Sequence, residues 1–173
     1  MAAPTKDQMK IIVPTAIVGL LVVGFLGWSA ICPCGYTPGA YLFGTTAEEP
    51  VSDWGFANEV TLCQLQIRAG IRPHAINLNC MATPSGELYL SCSVCDTKYW
   101  AGHAVENGWA RLRMRDTVYP VQLTRILESG ELDRAWAARV KKLNSLETPG
   151  SAPPPPDAPR PDRWWTFRVE WRG

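Results

Sequence analysis

The chain opens on one long apolar run and continues in short alternating ones. Ile11 to Ile31 reads IIVPTAIVGLLVVGFLGWSAI. About 20 apolar residues at helical rise cross a bilayer core. Pro14 falls in the first turn, where a missing N–H costs little. Trp28 lies near the far end, where an indole suits the interface. The run predicts a transmembrane helix over 11–31. A cleaved signal peptide is the competing reading, but the apolar stretch exceeds the usual length of about 7–15 residues. Its small-x-small site, Gly27-Trp28-Ser29, also holds a bulky Trp. Cys32 does not read as a lipid-attachment cysteine, because Ile31 before it is too large. Residues 32–50 are rich in Gly, Pro and Tyr and read as a juxtamembrane linker, or as a segment on the membrane or against a partner.

From about Val51 the period becomes two. Cys63, Leu65 and Ile67 alternate with Gln64, Gln66 and Arg68. Ile76, Leu78 and Cys80 form a second run. Thr83-Pro84-Ser85-Gly86 then sets Pro and Gly at the second and fourth positions of a type I turn. Leu88, Leu90, Cys92 and Val94 return, so the two runs predict a hairpin. Asp96 is placed to cap a short helix ending near Glu106, closed by Asn107-Gly108. Ala110, Leu112 and Met114 alternate with Arg111, Arg113 and Arg115, whose default reading is a solvated sheet face, with phosphate or anionic lipid as the alternative. Tyr119, Val121 and Leu123 follow, with Pro120 arguing for an edge or a bulge. Ser129 to about Leu146 reads as a helix with Leu132, Trp136, Val140 and Leu143 on one face. Residues 149–161 are proline-rich and read as an extended, mobile loop. Trp165, Phe167, Val169 and Trp171 make a final strand with a large aromatic face.

Six or more mostly antiparallel strands with two helices predict a closed barrel or a tight α+β sheet. The domain organisation follows: an N-terminal segment over 1–10, the span over 11–31, the linker over 32–50, and one folded domain over 51–173.

Charge sharpens this division. The 173 residues carry 17 basic and 16 acidic side chains, for a net charge of +1. That balance gives no reason to expect nucleic acid binding. No charged residue lies between Ile11 and Ala47. Lys6 and Lys10 precede the span, and the next basic residue is Arg68. The positive-inside rule then predicts a single-pass protein of the cytoplasmic (inner) membrane. Its N-terminus would be cytoplasmic and its C-terminal domain periplasmic or otherwise extracytoplasmic.

The order of motifs carries a family resemblance. A Pro73-led strand, Gly86-Glu87-Leu88-Tyr89-Leu90, Lys98-Tyr99-Trp100 and Asn107-Gly108-Trp109-Ala110-Arg111-Leu112-Arg113 resemble the split β-barrel flavin-binding superfamily. That superfamily includes pyridoxamine-phosphate-oxidase-like proteins and deazaflavin-dependent nitroreductases. Glu49 to Phe56 resembles the opening of its membrane-anchored branch. The likeness spans roughly Val51 to Trp171. It implies a mainly β, α+β split barrel that binds FMN or a deazaflavin, often at a homodimer interface. It also implies hydride transfer to a small or quinone-like acceptor. Lys98 becomes the expected phosphate contact, with Thr97 and the following helix start assisting. Trp100 and His103 stand beside it. His103, about one and a half turns on, faces either a bound anion or solvent.

The six cysteines, Cys32, Cys34, Cys63, Cys80, Cys92 and Cys95, leave three readings open. Packing is the first. A disulfide is the second. A metal site on Cys32, Cys34, Cys92 and Cys95 is the weaker third. No Ser/His/Asp set, phosphate loop or carboxylate pair is recognisable, so no catalytic residue is named. The alternative function is a cofactor-free accessory or assembly subunit of a membrane complex.

Overall fold

A computed structural model describes residues 6–29, 33, 38–70 and 72–172. The apolar run is helix α1, Lys6–Ser29, 24 residues long. It begins earlier than the hydrophobic pattern predicts. Lys10 pairs with Asp7 at 2.9 Å across one helical turn, which extends the helix into the polar flank. Helix α1 is exposed along its described length and is long and apolar enough to cross a membrane. Residues 30–31 of the expected span, the Trp28 side chain, Cys32 and Cys34 lie outside the described residues.

Among the described residues, eight strands form one sheet. They are β1 Thr45–Thr46, β2 Cys63–Ala69, β3 Arg72–Leu78, β4 Cys80–Ala82, β5 Leu88–Cys92, β6 Trp109–Met114, β7 Thr117–Ile126 and β8 Trp165–Trp171. Helix α2 spans Tyr99–Glu106 and helix α3 spans Ser129–Ser145. The strand order is β3-β2-β6-β7-β8-β5-β4, all antiparallel, and β1 joins β7 in parallel. β3 and β4 stand at opposite ends of this order, yet only Asn79 separates them in the chain. The sheet therefore has to curl until its ends nearly meet. The result is a half-barrel, as the alternating runs predict.

The curl gives each strand an inner and an outer row. Leu65, Ile67, Leu88, Leu90, Leu112, Val121 and Phe167 fill the interior, joined by Trp54 and by Trp100 of α2. The predicted hairpin exists but is shorter than the pattern suggests. Only Cys80–Ala82 pairs with Leu88–Leu90, because β3 pairs with β2 instead. Its turn is as expected: the Gly86 N–H donates to the Thr83 carbonyl at 3.0 Å, and Gly86 takes φ +85°. Pro120 sits inside the sheet rather than on an edge. Its carbonyl accepts from Arg172 N at 3.0 Å on the β8 side. It falls in the gap where β1 has ended and β8 pairing has only begun, so its missing N–H leaves no ladder partner unserved.

Helix α3 covers the outer rows of β4, β5 and β8. The buried residues are Glu131, Ala135, Ala138, Arg139, Val140, Lys142 and Leu143, so the predicted stripe holds at Val140 and Leu143, while Leu132 and Trp136 are only half-buried. Small residues let the helix approach Met81, Tyr89 and Ile126, and its charged residues find specific partners. Glu131 accepts from Tyr89 Oη at 3.0 Å and from Arg168 Nη1 at 2.9 Å. The Lys142 ammonium donates to the carbonyls of Ala57 at 2.7 Å and Cys80 at 2.6 Å. Trp136 and Asn144 serve the proline-rich segment, donating to the carbonyls of Ala158 and Pro154 at 2.7 and 3.0 Å. Arg160 adds an ion pair with Asp133 at 2.9 Å. Residues 149–161 are thus fastened along α3 rather than loose.

Two disulfides, Cys63–Cys80 and Cys92–Cys95, take up four of the cysteines. Cys63–Cys80 joins the start of β2 to the start of β4, across the closing seam. Cys92 and Cys95 engage each other.

Burial, then Arg139, pushes the Lys142 pKa down to about 8 from 10.5. Below pH 8 both folded and unfolded chains hold this proton. Between pH 8 and 10.5 the unfolded chain holds it and the folded chain does not, so stability rises with pH through that window. The slope is at most roughly 1.4 kcal/mol per pH unit. In urea titrations of wild type and Lys142→Met, the wild type should show this extra rise and the variant should not. A constant difference between them from pH 7.5 to 10 would disprove the assignment.

Candidate functional site

The site predicted around Lys98 is built where β5 hands over to α2. β5 ends at Cys92, and the chain bends through Ser93 and Val94 into a tight turn over Cys95–Thr97. Val94 takes φ +53°, a left-handed conformation unusual for a β-branched residue. Asp96 does not cap the helix. Thr97 Oγ1 donates back to the Val94 carbonyl at 3.0 Å, and α2 starts only at Tyr99, with Lys98 at the N-cap. No side chain caps this helix start. Ala101 N and Gly102 N turn back to the Lys98 carbonyl. The first N–H groups of the helix, at Tyr99 and Trp100, precede any such partner. Thr97 and Lys98 are exposed beside them.

The other predicted residues divide. Trp100 faces the core, 5% exposed and packed on Phe167 with centroids 5.4 Å apart. The helical spacing places it with Ala101 and Ala104 on the inner side of α2, so it walls the barrel rather than the site. His103 lies on the outer side. Its ring meets Tyr99 edge-on at 4.6 Å, and Nδ1 is 3.2 Å from Glu106 Oε2. Tyr99 in turn meets His74 of β3 at 5.1 Å. Burial, then the His103 and Arg72 charges, lower the His74 pKa, so its imidazole is neutral at neutral pH. This His74–Tyr99–His103 row was not legible in the sequence, because it joins residues from two distant elements. A hollow of about 330 Å³ adjoins it, lined by Gly39, Ala69, Arg72, Pro73, His74 and Tyr99.

The segment read as a linker forms the far wall. Instead of lying free, residues 38–47 cross the outer face of the sheet. Gly39 bonds both ways with Ala75, at 2.8 and 2.9 Å. Leu42 N donates to Gln66 Oε1 at 2.8 Å, and Arg111 Nη1 donates to the Leu42 carbonyl at 2.9 Å. Arg113 Nη1 donates to the Phe43 carbonyl at 2.8 Å. Thr45 N and Ala47 N then join the β7 end through Asp116 and Val118. Gly44 permits this approach, since a Cβ there would lie 2.5 Å from the Asp116 carbonyl oxygen. Upstream, Gln64 and Asn77 amides both reach the Pro33 carbonyl at 3.3 Å. The arginine row is therefore no simple solvated face: Arg111 and Arg113 hold this strap. Arg115 alone pairs outward, with Glu59 at 2.7 Å.

No protein-family model matches the chain, and no curated protein matches it in sequence. Solved structures do resemble its fold. A candidate pyridoxamine 5'-phosphate oxidase from Listeria innocua superposes with TM-score 0.50 at 10% identity, over 68% of this chain and 89% of that one. A NimC/NimA family protein from Clostridium acetobutylicum reaches TM-score 0.47 at 14% identity, over 68% and 78% of the two chains. A pyridoxamine 5'-phosphate oxidase-related, FMN-binding protein from Nostoc punctiforme reaches 0.38 at 15% identity, over 67% and 71%.

If Arg111 and Arg113 hold the strap, the Arg111→Ala, Arg113→Ala double variant should free it. Limited chymotrypsin digestion should then cut at Tyr41 or Phe43 at least tenfold faster, with little change in the global unfolding midpoint. Unchanged cleavage would contradict the assigned role. At these identities the likeness is one of fold, and it is to the pyridoxamine-phosphate-oxidase-like split barrel.

Proposed function

We propose that this is a membrane-anchored split-barrel protein that binds FMN or a deazaflavin and passes reducing equivalents to a small or quinone-like acceptor. The observation that carries the reading is the uncapped start of α2, with Lys98 at its N-cap, opening beside the His74–Tyr99–His103 row. The residues present fit the cofactor's parts. A phosphate meets one ammonium and backbone N–H groups at a helix start, where the macrodipole adds partial positive charge. A flat ring meets aromatic edges and a neutral imidazole. When bound, the cofactor would supply the hydride chemistry. The chain's own part is orientation: Lys98 and the first N–H groups of α2 fix the phosphate end, Thr97 holds the turn that places them, and His74 and Tyr99 bound the ring end. Helix α1 supports the anchor by its length and apolarity. Lys6 and Lys10, on the N-terminal side of α1, support an extracytoplasmic domain.

A second reading rests on Asp96. This exposed carboxylate lies two residues before Lys98 and opposes an incoming anion. A barrel without cofactor, acting as an accessory subunit of a membrane complex, would tolerate it.

The full chain, purified in a non-ionic detergent, separates these readings. It should be yellow, or become so on titration with FMN or a deazaflavin. Lys98→Ala should weaken FMN binding about tenfold, the loss of one charge-assisted hydrogen bond. Riboflavin, which has no phosphate, should bind both proteins alike. A colourless chain that takes up neither cofactor would leave only the accessory reading.

A further inference from the structure

The strap covers part of the outer sheet face and leaves part open. The registers of β2, β3, β6 and β7 order the outward side chains in rows. One row is Ala75, Gln66, Arg111 and Pro120. The strap lies on it. The next row, one alternation along, is Pro73, Arg68, Trp109 and Gln122. It stays open. Between strap and open row lies a cleft of about 480 Å³. Tyr41 forms one side and Trp109 the other, with Ile67 on its floor and Arg68, Arg72 and Arg111 among its walls.

The aromatic sides are fixed by stacked cations. The Arg111 guanidinium lies 4.4 Å from the Tyr41 ring centre and Arg172 lies 4.6 Å from that of Trp109. Trp109 is nonetheless 48% exposed. An indole left open to solvent on a cleft wall is a surface suited to an apolar guest. The charge around the cleft has one sign: three arginines line it, and no Asp or Glu is among its described lining residues. Arg68 donates its Nε to the Gly70 carbonyl at 3.1 Å, and its terminal nitrogens make no hydrogen bond among the described residues. The cleft therefore suits a molecule with both an apolar body and an anionic group.

Chain length says where such a molecule comes from. Helix α1 ends at Ser29, and Pro33 is already held by Gln64 and Asn77 on this same sheet face. Four residues span at most roughly 14 Å. Arg68 lies four residues along β2 from Gln64, about another 14 Å. The face that carries the cleft is thus the face to which the apolar helix is tied.

We infer that this cleft is a binding site for an anionic membrane lipid. The lipid's apolar part would lie between Tyr41 and Trp109, and its phosphate would meet Arg68 and Arg72. The inference rests on the membrane-anchor reading of α1 and not on the flavin reading.

The test is native mass spectrometry of the full chain from non-ionic detergent micelles, with equal amounts of dioleoyl phosphatidylglycerol and dioleoyl phosphatidylcholine. The wild type should retain phosphatidylglycerol in preference. The Arg68→Gln, Arg72→Gln double variant should lose that preference by about tenfold or more. Trp109→Ala should weaken retention of both lipids. Lys6→Ala, Lys10→Ala should leave the preference intact. Equal retention of the two lipids by wild type would overturn the proposal, as would a preference that follows Lys6 and Lys10 instead. Inorganic phosphate should not displace the lipid at equal concentration. If it does, the cleft recognises a free anion and the lipid assignment fails. Carbonate-washed membranes test the anchor separately. A chain that washes off there refutes the anchor, whatever the cleft retains.

Discussion

The closure at Cys80 is the constraint on which the other features depend. The sheet order puts β3 and β4 at opposite ends, but one residue joins them, so the curl is obligatory. Three contacts meet at that seam. The Cys63–Cys80 disulfide ties β2 to β4 across it. Lys142 donates to the Cys80 carbonyl and to the Ala57 carbonyl in the turn beside it. Asn79 itself donates to Ser151 Oγ at 3.1 Å, which brings the proline-rich segment to the same point. A buried ammonium without a carboxylate is costly, and two carbonyl acceptors are what make it tolerable here. Helix α3, the short turn and the seam are thereby fixed as one unit.

Once the curl is set, the sheet has two outer surfaces and each is covered by different chemistry. Over β4, β5 and β8 the cover is α3, which approaches closely through Ala135 and Ala138. It brings Glu131 to Tyr89 and Arg168. Burial and the Glu131 hydrogen bond raise the Tyr89 pKa, so this phenol stays a donor throughout the physiological range. Over β2, β3, β6 and β7 the cover is the strap, held by arginine donors to main-chain carbonyls. The first cover lies close through small residues, and the second leaves the row from Pro73 to Gln122 open. Two hollows border the strap, one beside Tyr41 and one beside Gly39.

How much of this was legible in the sequence depends on whether the cause is local. Period-two alternation in β2, β6 and β8 stands because one face of each strand is buried in the barrel. The turn at Thr83–Gly86 stands because Pro and Gly act on their own backbone. The stripe on α3 holds at Val140 and Leu143 but not in its first two turns. Leu132 and Trp136 are the larger apolar residues, but the contacting face had to be small and its charges are paired by strands far away in the chain. Arg111 and Arg113 look solvated in sequence for the same reason. The strap that consumes them is a Gly- and Pro-rich stretch with no periodicity of its own. Asp96 was an N-cap by residue type, yet the tight turn after Cys95 displaced the helix start to Tyr99. Cys63 and Cys80 sit on apolar strand faces in either redox state, so only the register could pair them.

The two hollows that carry the proposed sites share a boundary. Both are bounded by Arg72 and Pro73 at the start of β3. One opens toward the His74–Tyr99 row and the other toward Trp109 and Arg68. Their shared boundary is the end of a strand, where backbone pairing with β2 runs out at Ala69–Arg72. Strand ends relax more readily than strand centres, because fewer ladder bonds hold them. The same strand carries the Gly39–Ala75 bridge, which fastens the strap that follows α1. In this arrangement the start of β3 links the strap that follows α1, the arginine-lined cleft and the aromatic row, and its position follows from the curl set at Cys80.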